Sequence, residues 1–392
     1  MAGTGDDGIR HATWLELFFD LVFVVAIAEV GTYLHHELTL IGILEFAGLF
    51  LMVWWVWLGY SYYADMFDTE DLFSRLLMVA AMFVVIFLSQ TADDAMHGES
   101  FAFGLAILIL RAILILFYYR AEHIEGVEKR FVHLFTMSNV FTTAIIGLSL
   151  VVPEPGRFGL WAAAVVISLG GAAVIYTATD HVVVQSSHLP ERLGLLTIIV
   201  LGETILAVSF GTSITDPGPA TLAVGGLGFF IAVAAWWIYF QHFDEHLIDQ
   251  ILHPDPDDWL SARRRGLVYT FSHYFTHMGI VATGVGIIVL LEASLTNSPL
   301  EPGGVGVLCA GVALFLTGSI LCHQALPEGI GRYVLNGRIL VVLGLLLYPG
   351  LGIMLSPLVT LTLISVALFG LIALELWAPG EPTRRFNADV EN

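Results

Sequence analysis

The chain has 392 residues, is 57% hydrophobic and carries 13% charged residues, whereas a soluble protein carries about a quarter. Its charges fall between long apolar runs, which excludes a soluble globular domain and points to a chain that threads a bilayer. Net charge is −20 with a single lysine, Lys129, and so acidic a surface excludes nucleic-acid binding.

A bilayer core takes about 20 apolar residues per helix, and the sequence offers twelve such runs. Those of the first half are Trp14–Tyr33, Leu40–Tyr63, Leu72–Thr91, Phe101–Tyr119, Phe131–Val152 and Phe158–Thr179. Those of the second are Leu193–Gly211, Ala220–Phe240, Gly266–Leu291, Gly304–His323, Val334–Leu355 and Leu358–Trp377. The polar, acidic stretch Met1–His11 lacks a cleavable signal pattern, so the first run is expected to be retained. The last two runs are separated only by Ser356-Pro357, which predicts a tight hairpin.

Lysine and arginine alternate with the runs. One side would hold Arg10, Arg75, Arg120, Lys129, Arg130, Arg192, Arg263, Arg264, Arg265, Arg332, Arg338, Arg384 and Arg385, the other Arg157 alone, with Arg111 inside a run. By the positive-inside rule this places both termini in the cytoplasm of a multi-pass plasma-membrane protein. The chain also echoes itself. Trp54-Trp55-Val56-Trp57 recurs 182 residues later as Trp236-Trp237-Ile238-Tyr239, and the same offset carries Arg10 onto Arg192. Each aromatic cluster precedes an acidic loop that ends in arginine: Arg75, and Arg263 to Arg265. The expected architecture is all-α, with two parallel six-helix repeats at residues 1–180 and 181–392.

Charges inside a membrane are costly and mark function by default. Glu16 and Asp20 lie four residues apart on one face of the first helix. Two carboxylates so close compete for protons, which suits proton or cation handling; a packing pair bonded to neighbouring helices is the plainer reading. Arg192 and Glu203, eleven residues apart, share a stripe of the seventh helix, where Gly202 is expected to admit a close neighbour. Arg111 stays charged in the middle of the fourth helix, as a structural ion pair or a gate. Asp20 and Glu203 are its expected partners, because Glu45 and Glu375 lie close enough to helix ends to be solvated. His273 and His277, four apart, form half of a metal site or a hydrogen-bonded interior pair, and the pair is favoured. The tryptophan cluster around Trp54 reads as interfacial or packing. Cys309 and Cys322 would lie about 20 Å apart on one helix, too far for a disulfide. There is no phosphate loop, nucleophile elbow or metalloprotease motif, so no enzyme, cofactor or metal is expected. The expected partners are the lipid bilayer, a small ion or proton, and a second copy of the chain.

Two long segments carry a resemblance. Trp14-Leu-Glu-Leu-Phe-Phe-Asp-Leu-Val-Phe-Val-Val-Ala-Ile27 and Glu191-Arg-Leu-Gly-Leu-Leu-Thr-Ile-Ile-Val-Leu-Gly-Glu203 resemble the two hallmark segments of the low temperature requirement protein A family, and the likeness extends over the whole chain. That family is named for a growth phenotype in the cold, a stress response, and the name implies no molecular activity. The first segment is also similar to the first helix of potassium channels with a Phe-Ser-Asp motif. That likeness implies that Phe18 and Asp20 hold the helix by polar contacts and that Val25 falls near a hydrophobic constriction. Here Phe19 stands where those channels have serine, Trp14 where they have arginine, and the seventh helix has no Phe-x-Asp. The functional expectation is ion conduction or translocation. The alternatives are a proton-coupled transporter of a small solute, with Glu16, Asp20 and Glu203 as proton sites and Arg111 as anchor, and a non-transporting scaffold or sensor.

Overall fold

The computed structural model describes residues 13–67, 71–123, 129–178, 189–212, 218–241, 259–296, 300–326, 329–353 and 355–378. Among them the regular structure is all helical. The twelve α-helices are α1 (Trp14–His36), α2 (Leu40–Met66), α3 (Leu72–Ser89), α4 (Ser100–Ala121), α5 (Lys129–Ser149), α6 (Gly156–Ala178), α7 (Leu189–Thr212), α8 (Pro219–Phe240), α9 (Trp259–Thr296), α10 (Pro302–Ala325), α11 (Arg332–Leu347) and α12 (Pro357–Trp377). Eleven of them, all but α7, are long and apolar enough over the described residues to cross a membrane. Several side chains in the last turns of α7 fall outside the description.

Local chemistry explains the helix ends. Thr13 and Glu16 form a capping box at α1: the Glu16 N–H donates to Thr13 Oγ1 at 3.3 Å and the Thr13 N–H to Glu16 Oε2 at 3.4 Å. Asp71 caps α3 by accepting from the Ser74 N–H at 3.0 Å. Ser356 caps α12, with Pro357 in the first helical position, where its missing N–H costs nothing.

Two sequence expectations are corrected here. The eleventh run does not reach Leu355. α11 stops at Leu347, because Pro349 opens a 3₁₀ turn to Leu351 and Gly352 takes the left-handed conformation, so the hairpin is a longer turn. Arg263 to Arg265 do not end a loop but lie in the first turns of α9. That helix has 38 residues, about 57 Å at 1.5 Å per residue, well beyond a hydrocarbon core of about 30 Å.

The chain divides into two compact units. One holds residues 1–33, 44–196 and 254–267, the other 34–43, 197–253 and 268–392. In the first, α4 packs against α3 and α5, and α5 against α6. In the second, α8 packs against α12, and α10 against α11. There α9 and α10 meet backbone to backbone. A methyl group at Gly311 would come within 2.5 Å of the Thr283 nitrogen, and one at Gly318 would strike Thr276. The spacing of seven residues holds both glycines on one face, and only glycine admits so close an approach.

Candidate functional site

The first unit buries two arginines, and their surroundings differ. Arg192, in the first turn of α7, is 1% exposed and ion-paired with Asp20 of α1, itself fully buried. The guanidinium grips both carboxylate oxygens: Nε donates to Oδ2 at 3.2 Å and Nη2 donates to Oδ1. The Trp57 indole of α2 donates a third bond to Oδ1 at 2.8 Å, and its ring lies 5.9 Å from the guanidinium. Glu16 and Asp65 are within Coulombic reach of Arg192 as well. Asp65 is buried near the end of α2 and accepts from the Leu189 N–H at 3.1 Å, which places a negative charge at the N-terminus of α7. One guanidinium thus faces three carboxylates.

Arg111, in the middle of α4, is 2% exposed and faces no carboxylate among the described residues. Nη2 donates to Thr142 Oγ1 of α5 at 3.0 Å and, at 3.5 Å, to Ser168 Oγ of α6. The Trp55 ring lies 4.0 Å beneath the guanidinium, and its indole N–H donates to the same Ser168 oxygen at 3.0 Å. The ionisable groups near enough to act on Arg111 are the phenols of Tyr60 and Tyr118. This overturns the expected pairing of Arg111 with Asp20 or Glu203. Asp20 is taken by Arg192, and Glu203 is not among the ionisable groups that act on Arg111. Depth along a helix made the pairing plausible; rotation of the helices decided against it.

The second unit holds a third buried arginine. Arg338 of α11 donates to Glu375 Oε1 of α12 from Nε at 2.9 Å and from Nη2 at 2.5 Å. Its Nη1 lies 2.9 Å from both Ser319 Oγ and His323 Nδ1 of α10. An arginine only donates, so His323 accepts on Nδ1 and is held neutral with its proton on Nε2. Two expectations change. Arg192 and Arg338, counted with the solvated basic residues, are buried ion-pair partners. Glu375, expected to be solvated, is buried although α12 ends at Trp377, because its carboxylate turns onto Arg338 of α11.

The remaining candidates have plain placements. Glu16 closes the α1 capping box, for which Thr13-x-x-Glu16 is the sequence signature. Phe18 and Val25 lie with Trp14 and Leu21 on the exposed face of α1. A side chain at Gly202 would meet nothing within 4 Å, so this glycine is not the close-approach point that was expected; Gly284 of α9, against Thr204, is one. Trp54, Trp55 and Trp57 are buried rather than interfacial, and two of their indoles serve the arginine sites. His273 donates from Nδ1 to the Tyr269 carbonyl at 2.7 Å, so its Nε2 accepts from the Tyr239 hydroxyl, also at 2.7 Å. His277 Nε2 lies 2.9 Å from Thr197 Oγ1. The two histidines are a hydrogen-bonded interior pair. Among the described residues no group of three or more histidines, cysteines or acids is placed to hold a metal. An apolar void of about 10 Å³ in the second unit, lined by Leu201, Ile231, Ile280, Val312 and Phe315, has room for about one water.

A helical, many-spanning chain that buries three arginines and pairs two of them between helices is a polytopic integral membrane protein. Over residues 11–373 it matches the model of the bacterial low temperature requirement A protein, LtrA. The chain belongs to that family. It is 30% identical over 291 residues to the uncharacterised protein RA0937 of Rhizobium meliloti (strain 1021), covering 70% of this chain and 68% of that one. No solved structure matches it.

Proposed function

We propose that this LtrA-family protein is not an enzyme but moves a small ion, a proton or a monovalent cation, across the membrane. The carboxylate cluster around Arg192 is its ion-responsive element. One observation carries the reading: a single buried guanidinium faces Asp20, Glu16 and Asp65. Asp20 is fully buried and held by Arg192 through its charge, so a proton or cation that competes for this carboxylate shifts the pairing. Asp20 and Arg192 come from the two segments that carry the family resemblance, and those segments meet at this cluster. Both termini would be cytoplasmic, and the helices would form two parallel six-helix repeats, as the basic residues and the 182-residue echo suggest.

The test is flux. The full chain is reconstituted in liposomes, and proton, sodium and potassium movement is followed with ion-sensitive dyes under imposed gradients. Asp20→Asn keeps the size and removes the charge; it is expected to insert normally and to lose most of the flux. Wild-type vesicles that pass none of these ions, or an Asp20→Asn variant with undiminished flux, would sink the proposal. A second reading, proton-coupled transport of an anionic solute, is favoured by Arg111, whose charge no carboxylate among the described residues answers. Flux that requires both a proton gradient and an added carboxylic acid would select it.

A further inference from the structure

A hydrogen-bond account of the Arg111 site leaves only donors over. Thr142 Oγ1 donates to the backbone carbonyls of Ser138 at 2.9 Å and Asn139 at 3.3 Å, so toward Arg111 it only accepts. Ser168 Oγ accepts from Trp55 and from Arg111, which occupies its lone pairs; its own O–H has no acceptor among the described residues. Arg111 Nε is fully buried and without a partner. That N–H shares an edge of the guanidinium with Nη2, from which Ser168 lies 3.5 Å away. The free Nε–H and the free Ser168 hydroxyl therefore lie within a few ångströms of each other, both beside Nη2. Tyr60 cannot supply the missing charge, because its hydroxyl is a phenol that donates to the Leu110 carbonyl at 2.8 Å.

Charge and hydrogen bonding thus ask for the same thing. A buried guanidinium is costly without a counter-charge. Stacking on Trp55 offsets part of the cost but gives no acceptor to Nε. What is missing is one compact negative group that can accept from an N–H edge and a hydroxyl at once. We propose that Arg111, with Ser168, Thr142 and Trp55 around it, is a binding site for a small monovalent anion. Arg111 supplies charge and its free Nε–H, Ser168 a second donor, and the Trp55 indole and Thr142 hold those two groups in place. A halide and a small carboxylate share the required chemistry. The site stands whether or not ions cross the chain, since nothing in it involves the Arg192 cluster.

The experiment uses the purified full chain in detergent, kept at constant ionic strength with gluconate while bromide or acetate replaces it. A ligand that binds only the folded state raises the melting temperature with its concentration. The wild type is expected to melt later as either probe is added, along a curve fitted by one dissociation constant. Acetate acting at lower concentration than bromide would mark a carboxylate as the natural occupant, the reverse an inorganic anion, and either supports the site. Ser168→Ala should fold and weaken the constant about tenfold, the loss of one hydrogen bond to a charged partner. Arg111→Gln should abolish the response. Should Arg111→Gln fail to fold, the Ser168→Ala constant decides. A wild-type melting temperature that ignores both anions, or a Ser168→Ala constant equal to that of the wild type, overturns the proposal.

Discussion

Arg192 and Arg111 are both almost wholly buried in the same unit, each beside a tryptophan of α2, yet one is answered by carboxylates and the other by hydroxyls and a ring. The difference begins with position. Arg192 is in the first turn of α7, where α1 and the end of α2 bring Asp20, Glu16 and Asp65 within reach. Arg111 is mid-helix in α4, among polar but uncharged faces of α5 and α6. A buried charge whose partner is covalently part of the protein is structural until something competes for that partner. A buried charge with no such partner is structurally expensive and persists where a ligand or a gradient gives it a use.

The largest expected effect breaks the paired site. Arg192→Met leaves Asp20 buried and unanswered and should cost about 3–5 kcal/mol. Arg111→Met strands no acid and should cost less, roughly 1–3 kcal/mol for hydrogen bonds from a charged donor. Thermal or denaturant unfolding in detergent measures both, and equal losses would erase the distinction between the sites.

A second variant sharpens the first. Adding Asp20→Asn to Arg192→Met removes the stranded charge, so the double variant should recover at least about 1 kcal/mol over Arg192→Met alone. The same addition to Arg111→Met should recover nothing. Additive losses in the Arg192 background would mean that Asp20 answers to a different cation.

The two indoles give a smaller contrast. Trp57→Phe removes the N–H from the Asp20 carboxylate and should cost about 1.5–3 kcal/mol. Trp55→Phe keeps a ring under Arg111 and removes only a neutral bond to Ser168, for about 0.5–1.5 kcal/mol. The ranking of the two midpoints is the measurement; a reversed order refutes it.

The smallest effect is a control outside the membrane-spanning segments. Asp71 is solvent-exposed, and its hydrogen bonds from Arg120 and then from Ser74 hold it below the usual carboxylate range. A depressed folded pKa contributes stability that is present above the unfolded value, about 3.9, and is lost as pH falls through the folded one. Asp71→Asn should therefore lower the melting temperature slightly at neutral pH and flatten its pH dependence below about pH 4, where the wild type loses the same contribution. An effect at pH 7 comparable to that of Arg192→Met would show that exposed pairs matter here as much as buried ones.

How much of this could be read beforehand varies residue by residue. Each of the twelve apolar runs holds one of the twelve helices among the described residues, because run length and the absence of charge are local properties that a bilayer enforces. The hallmark segments around Asp20 and Glu203 showed the family for the same reason: they are continuous in sequence. Buried charges could be located, since Arg111 and Asp20 fall inside apolar runs. Two further features are local signals of the same kind: the Thr13-x-x-Glu16 capping box, and Pro349, which ends α11 early.

The partners could not be read. Arg192 reaches Asp20 across 172 residues and Arg338 reaches Glu375 across 37. Both arginines looked solvated because they lie close to predicted helix ends. By sequence alone, a side chain's depth follows from counting 1.5 Å per residue, but neither the neighbouring helix nor the rotation of each helix about its axis does. A turn of 100° per residue means that one residue of slippage aims a guanidinium at a carboxylate, a hydroxyl or lipid. The sequence determined that this chain is a helical membrane protein with costly charges inside it. Only the packing of α1, α2 and α7, and of α4, α5 and α6, decided that one of those charges is answered within the chain and the other is left for a ligand.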